Sequence, residues 1–331
     1  MSVPVLPWAA AFAAIAAGLF LLRLLTSRRY ARGRPARLKL GADGIIVGAG
    51  PIGLSSSDTP SDTPSGAPGT RQPAALLLHG FGDTPQTLAH LATYLNDRGW
   101  TVRVPLLPGH GRTLSEWART RAADWLDAAR AELAALRRQH DAVALVGLSM
   151  GGALASVLAA EESARDAASA TRDGQTARIV ALVLIAPYLA MAWWMRTLAA
   201  LHHVIAPVMP YAYAGGGPSI LDPAEREQNL AYGVTTPRLV NDLAHVVRAA
   251  RAALPHVTIP TLLVQSRFDN RVRPATAEWA LATLGSADKR LVWIDRGGHI
   301  ITVDHGHEEV ASCVHNWLAG QMTAGNAANT S

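Results

Sequence analysis

The sequence predicts an α/β fold built on a mostly parallel, doubly wound sheet, with a small inserted cap and an N-terminal transmembrane helix. From Ala75 to Leu318, short apolar runs of strand length take turns with amphipathic helical segments. This alternation is typical of a parallel sheet whose strands are joined by crossover helices. The uninterrupted apolar run Ile179–Ile185 indicates a central strand that is buried on both faces. The alternation stops between residues 187 and 238, which indicates an inserted cap.

Composition and charge limit the classes of function. The chain has 331 residues, 49% hydrophobic and 17% charged, which suits one large globular domain and excludes a disordered chain. Its net charge of +5 comes from residues 1–42, which hold seven basic residues and no Asp or Glu. From Asp43 to the end there are 23 basic and 25 acidic residues, so a nucleic-acid partner is not expected. The single cysteine, Cys313, allows no intrachain disulfide.

Residues 1–42 are expected to form a membrane anchor and a basic juxtamembrane segment, leaving 43–331 as the folded domain. Val5–Leu22 is an unbroken run of 18 apolar and small residues, the lower limit for a spanning helix. Arginines follow the run and none precedes it, so the positive-inside rule predicts a cytoplasmic domain. The alternative is a cleaved signal peptide and an exported protein, but its basic residues should come before the apolar run.

A glycine motif near the start of the domain resembles a dinucleotide-binding fingerprint. Gly48-x-Gly50-x-x-Gly53 follows the apolar residues Ile45–Val47, which we interpret as an edge strand. A nucleotide-binding motif must open a helix. Here it leads instead into the Ser-, Pro- and Thr-rich stretch 55–73, which we interpret as a flexible linker. We therefore expect no bound nucleotide at this motif, and no metal site is predicted.

The remaining elements follow from periodicity and end signals. Trp125, Ala129, Leu133 and Leu136 recur at helical spacing and predict a helix over 122–138. Thr84 and Pro85 are typical of a helix start. The predicted strands are 75–78, 101–104, 142–146, 179–185, 261–264 and 290–294, and the other predicted helices are 84–96, 153–160 with an extension and loop to 178, and 307–318.

Ser149 is the candidate nucleophile. Gly147-Leu148-Ser149-Met150-Gly151 matches G-x-S-x-G, with an apolar strand directly before it and a helix directly after it. This strand–turn–helix context is what a nucleophile elbow requires, because the sharp turn holds the serine hydroxyl above the sheet edge. A serine hydroxyl also needs a base that accepts its proton.

Asp269 and His299 are the candidate acid and base. Each follows a predicted strand, and their order after Ser149 is the Ser–acid–His order of this kind of site. Asp269 would hold the imidazole tautomer and stabilise the imidazolium.

Several other residues could take the roles of acid or base. Asp295 and Asp304 are nearby acids that we interpret as solvated loop carboxylates, and Asp269 is preferred because it follows its own strand. His305 and His307 lie near the start of the last predicted helix and are interpreted as surface residues.

The backbone amides of Phe81 and Met150 are the candidate oxyanion donors. Met150 follows the serine, and Phe81 lies in the loop His79-Gly80-Phe81-Gly82 after an early strand. His79 and His110 are interpreted as loop-bracing residues and not as proton carriers.

Six blocks in order resemble the α/β-hydrolase superfamily, and bacterial carboxylesterases and monoacylglycerol lipases in particular: LLLHGFGDTPQT, VPLLPGHGRT, ADWL, VGLSMGG, SRFDNRV and GGHIITVD. The resemblance implies the α/β-hydrolase fold, the triad Ser149, Asp269 and His299, oxyanion donors at Phe81 and Met150, and no cofactor. It also implies a cap over an apolar acyl pocket. Trp193, Trp194 and Met195 would line that pocket, or else pack within the cap.

The leading functional hypothesis is a serine hydrolase that cleaves short- or medium-chain esters or monoacylglycerols through an acyl-enzyme. A thioesterase or lysophospholipase with the same triad is the first alternative. A non-catalytic binding protein on the same scaffold is the second, although such a protein is expected to have lost a triad residue. The expected partners are a small ester or lipid and the membrane. The sequence does not determine the oligomeric state.

Overall fold

A computed structural model describes residues 38–55, 72–168, 177–213 and 217–329, with single helical residues and short helical pieces between Ala14 and Arg29. A central sheet organises this part of the chain. The strands in the described residues are β1 (Ile52–Leu54), β2 (Ala74–Leu78), β3 (Thr101–Val104), β4 (Ala142–Leu148), β5 (Arg178–Ile185), β6 (Ala212–Tyr213), β7 (Val234–Thr235), β8 (Thr261–Ser266) and β9 (Lys289–Ile294).

Seven of these strands form one sheet in the order β1-β3-β2-β4-β5-β8-β9. Only the edge strand β1 runs antiparallel to its neighbour, and every other pair is parallel. The predicted mostly parallel sheet is therefore confirmed. The carboxyl ends of β2, β4, β8 and β9 open at one edge, where parallel sheets place their functional loops.

Helices cover both faces of the sheet, as parallel connections require. In the described residues, 3₁₀ helices at Pro85–Leu88 and Leu254–His256 lie directly before Ala89–Asn96 and directly after Pro237–Ala253. The α-helices in the described residues are α1 (Ala89–Asn96), α2 (Leu114–Trp117), α3 (Ala122–Gln139), α4 (Met150–Ala168), α5 (Trp193–Ala200), α6 (His202–Ile205), α7 (Pro223–Gln228), α8 (Pro237–Ala253), α9 (Pro274–Thr283) and α10 (His307–Asn329).

The predicted helix periodicity places its residues in the core. Trp125, Ala129, Leu133 and Leu136 of α3 are all buried and belong to the apolar cluster on one face of the sheet. Every residue of β4 is buried, because this strand lies between β2 and β5 with helices above and below. The position of β4 in the middle of the sheet gives the turn that follows it a rigid support.

The segment predicted to form a cap (the cap segment, residues 187–238) leaves the sheet after β5 and leads into α8. It contains α5, α6, the two-stranded β6–β7 pair and α7. A small apolar cluster joins the cap segment to α8. Its buried members are Leu24, Leu198, Ala199, Met209, Ala212 and Val240.

The edge strand lies seven residues later than the sequence indicates. Ile45–Val47 is not a strand: Ile46 makes one isolated bridge to Leu40, and the chain turns at Gly48, which has a φ of +86°. Ile52–Leu54 pairs with β3 instead. Gly53 therefore lies within a strand, so the glycine motif opens no helix.

The predicted transmembrane helix receives no support. Within the described residues, no helix is both long and apolar enough to cross a membrane. Residues 1–13 of the predicted anchor and 56–71 of the predicted linker lie outside the described residues. Leu24 is 9% exposed and packs in the apolar cluster of the cap segment, while Leu22 is 63% exposed. Leu24 thus contacts the protein's own helices.

Candidate active site

Ser149 occupies a strained turn between β4 and α4. Its φ is +55°, in the left-handed region that side chains rarely adopt. The turn is possible because of the glycines on both sides: a β-carbon on Gly147 would lie 2.3 Å from the carbonyl oxygen of Gly151. The Ser149 amide donates to the carbonyl of Ile185 at 2.9 Å, which ties the turn to β5. The helix begins at Met150, three residues earlier than predicted.

His299 lies in the loop after β9 and points its imidazole at the serine. Its Nε2 is 2.8 Å from the Ser149 Oγ, within hydrogen-bond reach of a base and a nucleophile. The residue is only 6% exposed, so the contact is shielded from bulk water.

Asp269 lies in the loop after β8, on the other side of the imidazole. Its Oδ2 is 2.8 Å from His299 Nδ1 and also accepts from Gln265 Nε2 at 2.8 Å. Its Oδ1 accepts from the backbone amides of Arg271 and Val272 at 2.7 and 2.8 Å. Burial opposes ionisation, but His299 and these two amides outweigh it and hold the pKa of Asp269 below its ordinary value. The carboxylate is therefore charged at neutral pH.

The structure brings together the three residues singled out from the sequence. Ser149, His299 and Asp269 come from the carboxyl ends of β4, β9 and β8, and β8 lies next to β9 in the sheet. With Nδ1–H directed to Asp269, the neutral imidazole presents an unprotonated Nε2 to the serine hydroxyl. The arrangement can therefore take a proton from Ser149 and stabilise the charge that results.

The neighbouring acids have different surroundings. Asp295 pairs with Arg267 at 2.8 Å and its side chain is 76% exposed, in agreement with a solvated loop carboxylate. Asp304 is 1% exposed and accepts from four backbone amides, so its interpretation as a solvated carboxylate is wrong. Periodicity carries no information on burial in this loop, because the segment that covers Asp304 comes from the cap.

The neighbouring histidines do not contact Ser149 in the described structure. His305 is exposed and lies 3.5 Å from Asp222, while His307 stacks on His90 with ring centres 4.7 Å apart.

The two proposed oxyanion donors lie on either side of the elbow. Met150 is the first residue of α4, where the amide has no acceptor within its own helix. A β-carbon on Gly80 would lie 3.4 Å from the Ser149 Cβ, so the loop that carries Phe81 passes directly beside the serine. The Phe81 ring packs against Trp117 and Trp125, at centroid distances of 5.1 and 5.9 Å.

His79 braces this loop from within the protein. Its Nε2 accepts from the Leu107 amide at 3.1 Å and its Nδ1–H donates to the Gly80 carbonyl at 3.0 Å. Burial lowers the pKa of His79 to about 4. His110, with its ring centre 5.0 Å away, is also buried, and burial holds its pKa well below the ordinary value. Both imidazoles are neutral at pH 7, as structural residues would be.

The aromatic residues suggested for the acyl pocket are not equivalent. Trp193 is 72% exposed at the start of α5. Trp194 is half-buried. Met195 reaches inward, where its sulfur accepts from the Tyr188 hydroxyl at 3.2 Å. The Tyr188 amide in turn donates to the Ser149 carbonyl at 3.0 Å.

Sequence reasoning missed the residues that support the triad, which are Tyr188, Gln265, Arg271 and Asp304. Only Gln265 carried a usable signal, as a polar residue directly after the apolar run 262–264. In the described parts of the chain, no group of three or more His, Cys, Asp or Glu side chains could hold a metal ion.

The chain matches a family model and is similar to a carboxylesterase and to a monoacylglycerol lipase. Residues 70–306 match the family model described as serine aminopeptidase, S33. The chain is 26% identical to a carboxylesterase of Bacillus subtilis (strain 168) over 247 residues, which covers 74% of this chain and 92% of the relative. It is also 26% identical to a thermostable monoacylglycerol lipase of Bacillus sp. (strain H-257) over 230 residues, or 70% of this chain and 84% of the relative.

The chain is also similar in fold to solved structures of lipases. A structure described as belonging to LipS and LipT, two metagenome-derived lipolytic enzymes, superposes with a TM-score of 0.69 at 26% identity, and covers 83% of this chain and 99% of that one. A monoacylglycerol lipase from Paleococcus ferrophilus has a TM-score of 0.60 at 20% identity over 76% of this chain and 97% of that one, which supports the fold alone.

Proposed function

The chain belongs to the serine aminopeptidase S33 family of α/β-hydrolases, and on that premise we propose that it is a serine hydrolase that cleaves carboxylic esters through an acyl-enzyme. One observation carries the proposal. The Ser149 Oγ, the His299 imidazole and the Asp269 carboxylate form one relay of two 2.8 Å contacts. A serine hydroxyl, a base and an orienting acid are the minimum that activates serine as a nucleophile.

The first half of the reaction acylates Ser149. Its Oγ attacks the ester carbonyl carbon while His299 Nε2 takes the hydroxyl proton. Asp269 stabilises the imidazolium, and the carbonyl oxygen gains a negative charge that the Phe81 and Met150 amides would bind. The intermediate collapses when the C–O bond to the alcohol breaks. The proton on His299 passes to the departing alcohol oxygen.

The second half releases the acid. A water molecule gives its proton to His299 Nε2 and attacks the acyl carbon. The C–O bond to Ser149 then breaks, and His299 returns the proton to the serine oxygen. Ser149 and His299 are only 8% and 6% exposed, so bulk water has limited access to the acyl-enzyme.

The substrate class we propose is short- to medium-chain esters or monoacylglycerols. The Bacillus subtilis carboxylesterase and the Bacillus sp. monoacylglycerol lipase support this choice. Thioesters and lysophospholipids would use the same triad. They are therefore included as competing substrates in the test, together with an aminoacyl anilide, because the family model is named for an aminopeptidase.

The test compares turnover of p-nitrophenyl esters from acetate to palmitate, monoacylglycerols, an acyl thioester, a lysophospholipid and an aminoacyl p-nitroanilide. We expect the highest kcat/KM on an ester. The Ser149→Ala variant should lose at least ~10³-fold in kcat, from the cost of removing a triad residue. The matched control is Ser115→Ala, an exposed serine in α2, which should behave as wild type.

A fluorophosphonate probe gives an independent result. Covalent labelling of wild type and Ser115→Ala, and its absence in Ser149→Ala, would identify the reactive serine whatever the natural substrate. Full ester turnover by Ser149→Ala would refute the proposal. Faster turnover of the anilide than of every ester would indicate that the protein is a peptidase and not an esterase.

A further inference from the structure

A stretch inside the cap segment turns back onto the loop that carries His299. This return segment, residues 217–222, precedes α7. Its Ser219 carbonyl accepts from the Ile300 amide at 3.0 Å. A β-carbon on Gly298 would lie 2.7 Å from the same Ser219 oxygen. The residues before and after His299 therefore both contact Ser219.

One buried carboxylate joins the same two segments. Asp304 is 1% exposed. Its Oδ2 accepts from the Leu221 and Gly298 amides, both at 2.7 Å. Its Oδ1 accepts from the Asp222 and His305 amides, both at 2.8 Å. Four N–H donors fill the lone-pair sites of a carboxylate. Asp304 thus holds the return segment and the His299 loop together.

The backbone around His299 is consequently fixed on both sides. The Gly298 amide is bound by Asp304, and the Ile300 amide is bound by Ser219. The backbone sets the direction of the Cα–Cβ bond, so these two hydrogen bonds orient the imidazole of His299. The 2.8 Å contacts of its two nitrogens depend on that orientation.

The return segment is also joined to the loop of the triad acid. The Arg271 amide donates to Asp269 Oδ1 at 2.7 Å, while its side chain donates from Nε to Ser219 Oγ at 2.8 Å and from Nη2 to the Gly217 carbonyl at 3.0 Å. Asn270 Nδ2 donates to the Pro218 carbonyl at 2.9 Å. The acid loop and the base loop thus meet on the same short stretch of cap backbone.

We infer that Asp304 is a positioning residue for His299, and that it acts by docking the cap's return segment onto the base loop. The inference rests on the proposed function, since it concerns the base of that reaction. Asp304 touches neither Ser149 nor the imidazole in the described structure, so it takes no part in proton transfer. It fixes the position of the His299 imidazole before the substrate binds.

The charge and the acceptor geometry of Asp304 are both required. An asparagine at this position has one acceptor oxygen and two N–H donors. Its amide nitrogen would face two backbone N–H groups, so one pair of bonds must break. Each oxygen accepts from one amide of the return segment and one amide of the His299 loop, so Asp304→Asn loses one bond to each segment at nearly constant side-chain volume.

The test pairs Asp304→Asn with Asp242→Asn. Asp242 is another buried carboxylate, 7% exposed, and it accepts from the Ala122 amide at 3.1 Å, where it joins α8 to α3. For Asp304→Asn we expect kcat on a p-nitrophenyl ester to fall by about 10- to 100-fold, the cost of a misplaced base, with little change in KM. The acid limb of its kcat/KM profile should move to lower pH, because Asp269 stabilises the imidazolium less when His299 is displaced from it. Asp242→Asn should lower Tm and leave kcat and the pH profile at wild-type values.

The outcomes distinguish failure of the proposed function from failure of the inference about Asp304. A wild-type protein that neither turns over an ester nor reacts with a fluorophosphonate refutes the proposed function. The inference about Asp304 is then decided by nitrogen-15 NMR of the imidazoles, in which the Nδ1–H signal of His299 is identified by its loss in His299→Gln. Loss or displacement of that signal in Asp304→Asn supports the inference, and an unchanged signal overturns it.

With an active wild type, equal kcat and pH profiles in the two Asn variants overturn the inference. If Asp304→Asn does not fold, Asp304→Ser takes its place. The serine hydroxyl has one acceptor oxygen on a shorter side chain, so it cannot accept from all four backbone amides. A severalfold fall in kcat with little change in KM supports the positioning role, and wild-type kcat overturns it.

Discussion

Gly151 is in direct backbone contact with Leu78: a β-carbon on Gly151 would lie 1.9 Å from the Leu78 carbonyl oxygen. Leu78 is the last residue of β2, and the loop with Phe81 begins immediately after it. Gly151 lies in the first turn of α4, next to Met150. This contact therefore fixes the distance between the two backbone amides that we propose as oxyanion donors.

The Gly151→Ala variant should lose activity and stability together. The added methyl group overlaps backbone atoms that cannot rotate away, so α4 must shift relative to β2, at a cost of about 1–3 kcal/mol. Because one proposed oxyanion donor moves with the helix, we expect kcat to fall by at least ~10²-fold. The measurements are kcat on a p-nitrophenyl ester and Tm.

Gly320→Ala is the matched control for this substitution. Gly320 lies within α10, and a β-carbon there meets no atom within 4 Å. We expect a small rise in stability, up to about 1 kcal/mol, because alanine is the better helix former. A Gly151→Ala protein with wild-type kcat would show that the α4–β2 contact does not set the oxyanion site.

Whether a feature of this site could be predicted depends on how far apart in the sequence the residues that determine it lie. The elbow at Ser149 could be predicted because its signals are local: an apolar strand, a glycine on each side and a helix within a few residues. Asp269 and His299 could be predicted because each follows its own strand, and strand ends of a parallel sheet meet at one edge.

The features that escaped prediction depend on contacts far along the chain. Asp304 is buried by Leu221 and Asp222, more than 80 residues away in sequence. The apolar run Ile45–Val47 has the composition of a strand, but β3 pairs with Ile52–Leu54, and pairing with a neighbour decides which run is in the sheet. Trp193 is 72% exposed because the residues of α5 that pack inward are Leu198 and Ala199.

The Asp269→Asn variant tests the assignment of the triad acid. An asparagine cannot hold the imidazole in the tautomer that accepts the serine proton, and the expected loss in kcat is about 10⁴-fold. Asp295→Asn is the control, because Asp295 follows β9 in the same region but pairs with Arg267 at the surface. Its kcat should stay at the wild-type value. A reversal of these two results would assign the acid to Asp295.

The buried histidine His79 should make the protein less stable in mild acid. The native state keeps His79 neutral down to a pKa of about 4, whereas the unfolded chain takes up a proton near pH 6.5. Between these values the unfolded state binds more protons, so stability falls as the pH falls. For His79 alone the loss between pH 7 and pH 5 is about 2 kcal/mol, and His110 acts in the same direction.

Urea unfolding at pH 7 and pH 5 measures this effect. We expect the His79→Gln variant to be less stable at pH 7, because its bonds to Leu107 and Gly80 are altered, but to lose less stability on going to pH 5. His256→Gln changes an exposed histidine and should keep the wild-type pH dependence. An unchanged dependence in His79→Gln would mean that His79 does not stay neutral in the folded protein.

The two residues Trp193 and Met195 should affect substrate selection differently. Met195 contacts the Tyr188 hydroxyl, and Tyr188 is bonded through its amide to the carbonyl of Ser149. Truncation in Met195→Ala opens space beside the nucleophile, so the ester chain length with the highest kcat/KM should increase. Trp193 is 72% exposed, and Trp193→Ala should leave the chain-length profile within about twofold of wild type, as surface substitutions generally do. The profile is measured with p-nitrophenyl esters from acetate to palmitate. A shift caused by Trp193→Ala and not by Met195→Ala would mean that α5 turns its outer face to the substrate during catalysis.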